Sequence, residues 1–151
     1  MTQDTSFYQR LGIETFINAH SCDTTMGGSI MQPAVIEAMA EASRGFISLG
    51  QLHDKVGARI AELTGNDAAF VCAGAASGLQ LAGAACLVGT DPKLIEQLPE
   101  TGERPDEFVV SLVDPHDYVR QGFRVCGGRL VEVGTRQQVS PTDYAAAIGQ
   151  R

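Results

Sequence analysis

Phe70-Val71-Cys72-Ala73-Gly74-Ala75-Ala76-Ser77-Gly78-Leu79 is the stretch on which the fold turns. It reads as a buried strand running into a glycine turn that opens a helix of small residues. A helix start carries unpaired N–H groups and roughly half a positive charge, so it suits an anion. Gly74 and the alanines after it let a bulky anion reach the backbone without meeting side chains. The same glycine equally suits close packing of a strand on a helix. Two neighbouring chemistries are excluded by the spelling. A P-loop needs Gly-Lys-Ser/Thr at the helix start, where this chain has Gly74-Ala75-Ala76-Ser77. A dinucleotide-binding fold needs G-x-G-x-x-G, and Gly74-x-x-x-Gly78 has another spacing.

Working outward from this turn, strands and helices alternate. Upstream, Pro33 opens a helix with Val35, Met39, Ala42 and Phe46 at helical spacing. A second helix carries Leu52, Val56, Ile60 and Leu63 on one stripe, with Gly65 as its stop. The quoted stretch then supplies a strand over Ala68–Cys72 and a helix over Ala75–Val88. Downstream come a short helix from Asp91-Pro92, a polar loop over 99–107, a strand over Phe108–Val113 and a helix over His116–Cys126. Gly127-Gly128 turns the chain into a strand over Arg129–Val133, and Ser140-Pro141 starts a last helix. Such alternation predicts an α/β fold, three strands in one sheet, with the Phe108 and Arg129 strands parallel neighbours. Residues 1–32 read as an arm whose Phe7, Tyr8, Leu11, Ile13, Phe16 and Ile17 could pack onto something larger. Residues 33–151 read as the first part of a large domain; no strand follows the last helix, so the expectation is a truncated architecture.

Composition narrows the function classes. The 151 residues include 18 acidic and 11 basic ones, a net charge of −7 with no basic run. That argues against a nucleic-acid partner, whose phosphates demand neutralisation. The N-terminus lacks the basic and apolar regions of a signal peptide, and a cytoplasmic setting is expected. Ala68–Val88 is uncharged, but its glycines, Ser77, Gln80 and acidic flanks at Asp67 and Asp91 argue against a membrane span. Cys22, Cys72, Cys86 and Cys126 form no C-x-x-C pair and are expected to be reduced and buried. His20, Cys22 and Asp23 lack a partner cluster, so no metal site is expected.

Five segments carry a resemblance: Tyr8-Gln9-Arg10-Leu11-Gly12 with Ile17-Asn18-Ala19; Gly27-Gly28-Ser29-Ile30-Met31; Ala58-Arg59-Ile60-Ala61-Glu62-Leu63-Thr64-Gly65; the Gly74 turn; and Gly128-Arg129-Leu130-Val131-Glu132-Val133-Gly134. In this order they resemble the N-terminal portion of fold-type-I pyridoxal-phosphate enzymes related to selenocysteine synthase, above all the branch that includes D-glucosaminate-6-phosphate ammonia-lyase. The resemblance implies the parallel-sheet large domain of the aspartate-aminotransferase-like fold, cut short. It implies that Gly74, Ala75 and Ala76 hold the phosphate of pyridoxal 5'-phosphate through their N–H groups, with Ser77 able to add a hydroxyl. Ala73 stands where similar proteins have serine or threonine, which removes one hydroxyl contact.

The same resemblance makes His116 a catalytic candidate, a histidine after the strand that stacks on the cofactor ring; its other reading is an exposed loop residue between Asp114 and Asp117. Asn18, Gly28 and Ser29 match a region lining the substrate side, the glycines serving equally as a tight turn before Pro33. The implied activity is α,β-elimination on a small amino acid or phosphorylated amino-sugar acid, in an enzyme that forms a homo-oligomer. The resemblance puts the family's Schiff-base lysine after a later strand, well beyond residue 151. Lys55 and Lys93, the only lysines here, read as surface charges, so these residues alone are expected to be inactive. The alternatives are a non-catalytic remnant, a split half completed by a separately encoded part, or a selenium transferase acting on seryl-tRNA. The last would want a basic face.

Overall fold

The computed structural model describes residues 6–149. The chain divides into two compact units, one running to Gln51 and the other starting at Leu52. In the first, α1 (Phe7–Arg10) begins at a capping box. Ser6 Oγ accepts from the Gln9 N–H at 3.3 Å, and Gln9 Oε1 accepts from the Ser6 N–H at 3.0 Å. Helix α2 (Pro33–Ala42) starts at its proline, where a missing N–H costs nothing. Its apolar stripe is uncovered among the described residues: Val35 and Met39 are exposed, as is Phe46 beyond the helix end. None of the described residues up to Gln51 is buried.

The second unit carries the α/β architecture. After α3 (Leu49–Thr64), Gly65 ends the helix at φ +69°, the left-handed conformation a glycine adopts without strain. Then follow α4 (Ala75–Val88), α5 (Pro92–Gln97), β1 (Glu107–Ser111), α6 (Asp117–Val125), β2 (Arg129–Val133) and α7 (Pro141–Ala147). Strands β1 and β2 are parallel, with Glu107 opposite Arg129 and Ser111 opposite Val133. The chain returns between them through α6, as a parallel pair requires. The core gathers Leu87 and Val88 of α4 with Cys126, flanked by Ala84, Leu94, Leu98 and Phe108. The Phe108 ring stacks on Phe123 of α6 at 4.7 Å, locking β1 to the crossover helix.

Glycines set how α4 and α6 meet. A Cβ at Gly122 would lie 2.9 Å from Leu79 Cβ and 3.4 Å from the Ala76 carbonyl oxygen. One at Gly83 would lie 2.8 Å from Cys126 Sγ and 3.1 Å from Phe123. Contacts advance together along both helices, so α4 and α6 run parallel and their N-termini share one end.

Three expectations need correction. Ala68–Cys72 forms no regular element and joins no ladder among the described residues, and Phe70 and Val71 are exposed. A strand exists only relative to a neighbouring backbone, and the two-stranded sheet formed here offers this segment none. Strand β1 ends at Ser111 rather than Val113, because β2 ends at Val133, whose carbonyl accepts the last rung from the Leu112 N–H at 3.0 Å. Of the four thiols only Cys126 is buried; Cys22, Cys72 and Cys86 are exposed. Cys72 and Cys86 have apolar sequence neighbours, which mark a face that could be covered, and the described residues do not cover it.

Candidate functional site

The turn before α4 is held from behind. Gly57 of α3 presses on the backbone of the incoming segment: a Cβ there would collide with the Ala69 carbonyl oxygen. Beside it, His53 stacks flat on Phe70, ring centroids 4.5 Å apart. Gly74 is the N-cap at φ +140°, ψ 175°, a conformation closed to L side chains although a Cβ would meet nothing. Its carbonyl oxygen accepts from the Gly78 N–H at 2.9 Å, Ser77 Oγ at 2.8 Å and Cys72 Sγ at 3.3 Å. The Ser77 hydroxyl proton thus points back at the turn. Because the cap is glycine, no side chain accepts from the first N–H groups of α4. Gly74, Ala75 and Ala76 are exposed. The arrangement leaves donors at the positive end of a helix for an outside acceptor.

His116 is the N-cap of α6, one residue before the helix. The Asp114 carboxylate Oδ1 accepts from the His116 N–H at 2.9 Å and faces Nδ1 at 2.7 Å. The His116 backbone N–H, and after it the ring, hold the Asp114 carboxyl below the usual carboxylate range. An ionised carboxylate can only accept, so Nδ1 carries a proton, and in the neutral form of the ring Nε2 is left as the acceptor. Since α4 and α6 are parallel, His116 and the Gly74 turn lie at the same end of their layer. That is the end at which β1 and β2 point their C-termini, where α/β sheets place ligands.

Arg120 was not visible in the sequence pattern. Its side chain is only 11% exposed, and its Nε donates to Glu132 Oε1 of β2 at 3.2 Å. Its Nη2 donates to the Ser111 and Asp114 carbonyls at 3.2 and 3.0 Å. A cavity of about 560 Å3 opens beside it, lined by Asp114, Pro115, Asp117, Arg124, Glu132 and Arg136 among others. Within the first unit, Asn18 Nδ2 donates to the Ser21 carbonyl at 3.0 Å and the Gly28 carbonyl at 3.4 Å, and Asn18 Oδ1 accepts from the His20 N–H at 2.7 Å. Asn18 and Gly28 therefore close one loop, in which Gly27 and Gly28 take positive φ; Ser29 follows it and is exposed. Lys55 and Lys93 are exposed on α3 and α5. No helix among the described residues is long and apolar enough to cross a membrane.

No family model matches the chain. It is 34% identical over 148 residues to a Streptomyces 5'-C-glycyluridine monooxygenase-decarboxylase, across 95% of its own length and 37% of that protein. It is 29% identical over 149 residues to D-glucosaminate-6-phosphate ammonia lyase of Salmonella typhimurium, across 97% of its own length and 40% of that protein. A solved structure of D-glucosaminate-6-phosphate ammonia-lyase superposes with a TM-score of 0.88 at 30% identity, covering 99% of this chain and 41% of that one. The chain spans about two fifths of the length of these relatives. Over almost all of its own length, it is a homologue of part of D-glucosaminate-6-phosphate ammonia-lyase and shares that enzyme's α/β fold.

Proposed function

We propose that the chain supplies the phosphate-binding turn and a proton-handling histidine of a pyridoxal-phosphate-dependent lyase. One observation carries this reading: the uncapped, exposed start of α4 and the His116–Asp114 pair sit at the same end of two parallel helices. The residues fit the cofactor's phosphate. A dianion needs several N–H donors, no competing side-chain acceptor and no bulk, and the Gly74-Ala75-Ala76 turn meets all three. Ser77 adds a fourth donor only if its hydroxyl turns away from the Gly74 carbonyl. When bound, pyridoxal phosphate supplies an electron sink for bonds at a substrate's α-carbon.

The chain's own residues then have separate tasks. The α4 start binds and orients the phosphate, fixing the register of whatever is attached to it. His116 accepts or returns a proton at Nε2, its ring held by Asp114. The Asn18–Gly28 loop, with Ser29, is proposed as the substrate-side element. The substrate class is a small amino acid or phosphorylated amino-sugar acid, by likeness to the ammonia-lyase. A second reading, decarboxylation of a glycyl-bearing nucleoside, is favoured by the 34% identity to the monooxygenase-decarboxylase. Both named substrates carry an amino group, which is the part such a site must hold. The exposed apolar residues of the first unit support a homo-oligomeric whole protein, and the absence of a basic run supports a small molecule as its substrate.

Titrating pyridoxal phosphate into the 151-residue chain tests the binding half of this proposal. The amide resonances of Gly74, Ala75 and Ala76 are expected to shift together, saturably, and borohydride is expected to fix no cofactor stoichiometrically to Lys55 or Lys93. Amides that stay put at saturation, or shifts confined elsewhere, refute the phosphate site.

A further inference from the structure

Arg120 uses its guanidinium in an unusual direction. An arginine needed only to neutralise Glu132 would spend its donors on that carboxylate, in the two-pronged geometry that makes such pairs strong. Here one nitrogen, Nε, serves Glu132 at 3.2 Å, while Nη2 donates to two carbonyl oxygens of the loop that leaves β1, those of Ser111 and Asp114. The third nitrogen, Nη1, lies 3.8 Å from Asp117 Oδ1 at the start of α6. The side chain is nearly buried, whereas Asp117 is fully exposed and Glu132 and Asp114 are each about two fifths exposed. A planar, rigid fork therefore ties β1's end, the Asp114 backbone and β2 into one frame.

The Asp114 carboxylate is what orients the His116 ring. We propose that Arg120 is a positioning residue: by clamping the Ser111 and Asp114 carbonyls to Glu132, it fixes the direction in which His116 presents Nε2. The proposal rests on the reading of His116 as the proton-handling group, but the clamp itself is a property of the ligand-free chain. A lysine at this place keeps the charge and reaches one acceptor, yet it cannot hold two carbonyls and a carboxylate in one plane. Loss of the fork frees the Asp114 backbone, and the Asp114–His116 pair loses its fixed geometry.

The test is the tautomer and ring environment of His116, read from the 15N shifts of Nδ1 and Nε2 at a pH where the ring is neutral. In the wild-type chain the Nδ1-protonated form is expected to dominate. In Arg120→Gln it is expected to give way to an Nε2-protonated mixture, with α4 and β1–β2 amides unchanged; Arg120→Lys is expected to restore it in part. A purely structural arginine would lower stability without moving these shifts in the folded protein. If Arg120→Gln does not fold, Arg120→Lys alone decides. Wild-type ring shifts in either folded variant overturn the proposal. Cofactor titration separates the two ideas: a wild-type chain with the expected tautomer but unmoved Gly74 amides refutes the phosphate reading and leaves the clamp standing.

Discussion

The two units of this chain have similar proportions of apolar residues and use them in opposite ways. In the second, Ala61, Leu87, Val88, Cys126 and Val133 are buried, and rings and glycines fit against one another around them. In the first, Met39 is 57% exposed and Phe46 wholly so, although α2 has the spacing of a packed helix. An amphipathic pattern states a demand for a surface; only tertiary contact answers it. The stability of the folded chain should therefore reside in the second unit.

The strongest way to break this contrast is Gly127→Ala. Gly127 has φ +101°, and a Cβ there would collide with the Pro99 carbonyl oxygen. Left-handed strain of about 1–2 kcal/mol and overpacking of about 1–3 kcal/mol should together cost roughly 3 kcal/mol or more in urea unfolding. A loss below about 1 kcal/mol would show that the β2 entry is not rigid. A smaller, local effect is expected at α7. Its capping box joins Ser140 and Asp143, and the Ser140 backbone N–H, then its hydroxyl, lower the Asp143 carboxyl below its usual 3.8. A carboxyl lowered on folding stabilises fully above its unfolded pKa, and that contribution is lost as pH falls through the folded value. Amide protection factors in α7 should accordingly fall below pH 3.8 before those of the core do. Ser140→Ala should cost about 1 kcal/mol at neutral pH. The smallest effect belongs to the first unit. Met39→Ala should change stability by less than about 0.5 kcal/mol, the range of surface substitutions. A loss above about 2 kcal/mol, as for a core methionine, would mean that this face is covered in solution.

The same division separates what could be read in the sequence from what could not. Local signals were legible: Gly65 ends α3, Ser140-Pro141 starts α7, and α4 and β2 occupy Ala75–Val88 and Arg129–Val133 as the pattern predicts. The parallel pairing of β1 and β2 followed from the helix between them. Failures came where the answer depends on a distant neighbour. Ala68–Cys72 has strand composition but no strand beside it among the described residues, and Cys72 and Cys86, in apolar sequence company, are exposed. At the candidate site, Gly74 and His116 announce themselves by turn and position. Arg120, on α6, does not, because its contacts are with Glu132, twelve residues away on β2, and with two carbonyls that carry no side-chain signature.

The parallel alignment of α4 and α6 has an electrostatic cost. Two helices side by side with like ends together place about half a positive charge beside another at that end. At the usual interaxial spacing of about 9 Å and an effective dielectric near 20, the repulsion is about 0.5 kcal/mol. An anion at that end is attracted by both termini and turns their mutual repulsion into a shared attraction. The topology that forces β1 and β2 to be parallel thus gives a protein of net charge −7 one place where two positive helix ends meet, the α6 end offset in part by Asp117 in its first turn. Filling it should tighten the second unit as a whole, so that anion binding and folding are thermodynamically linked.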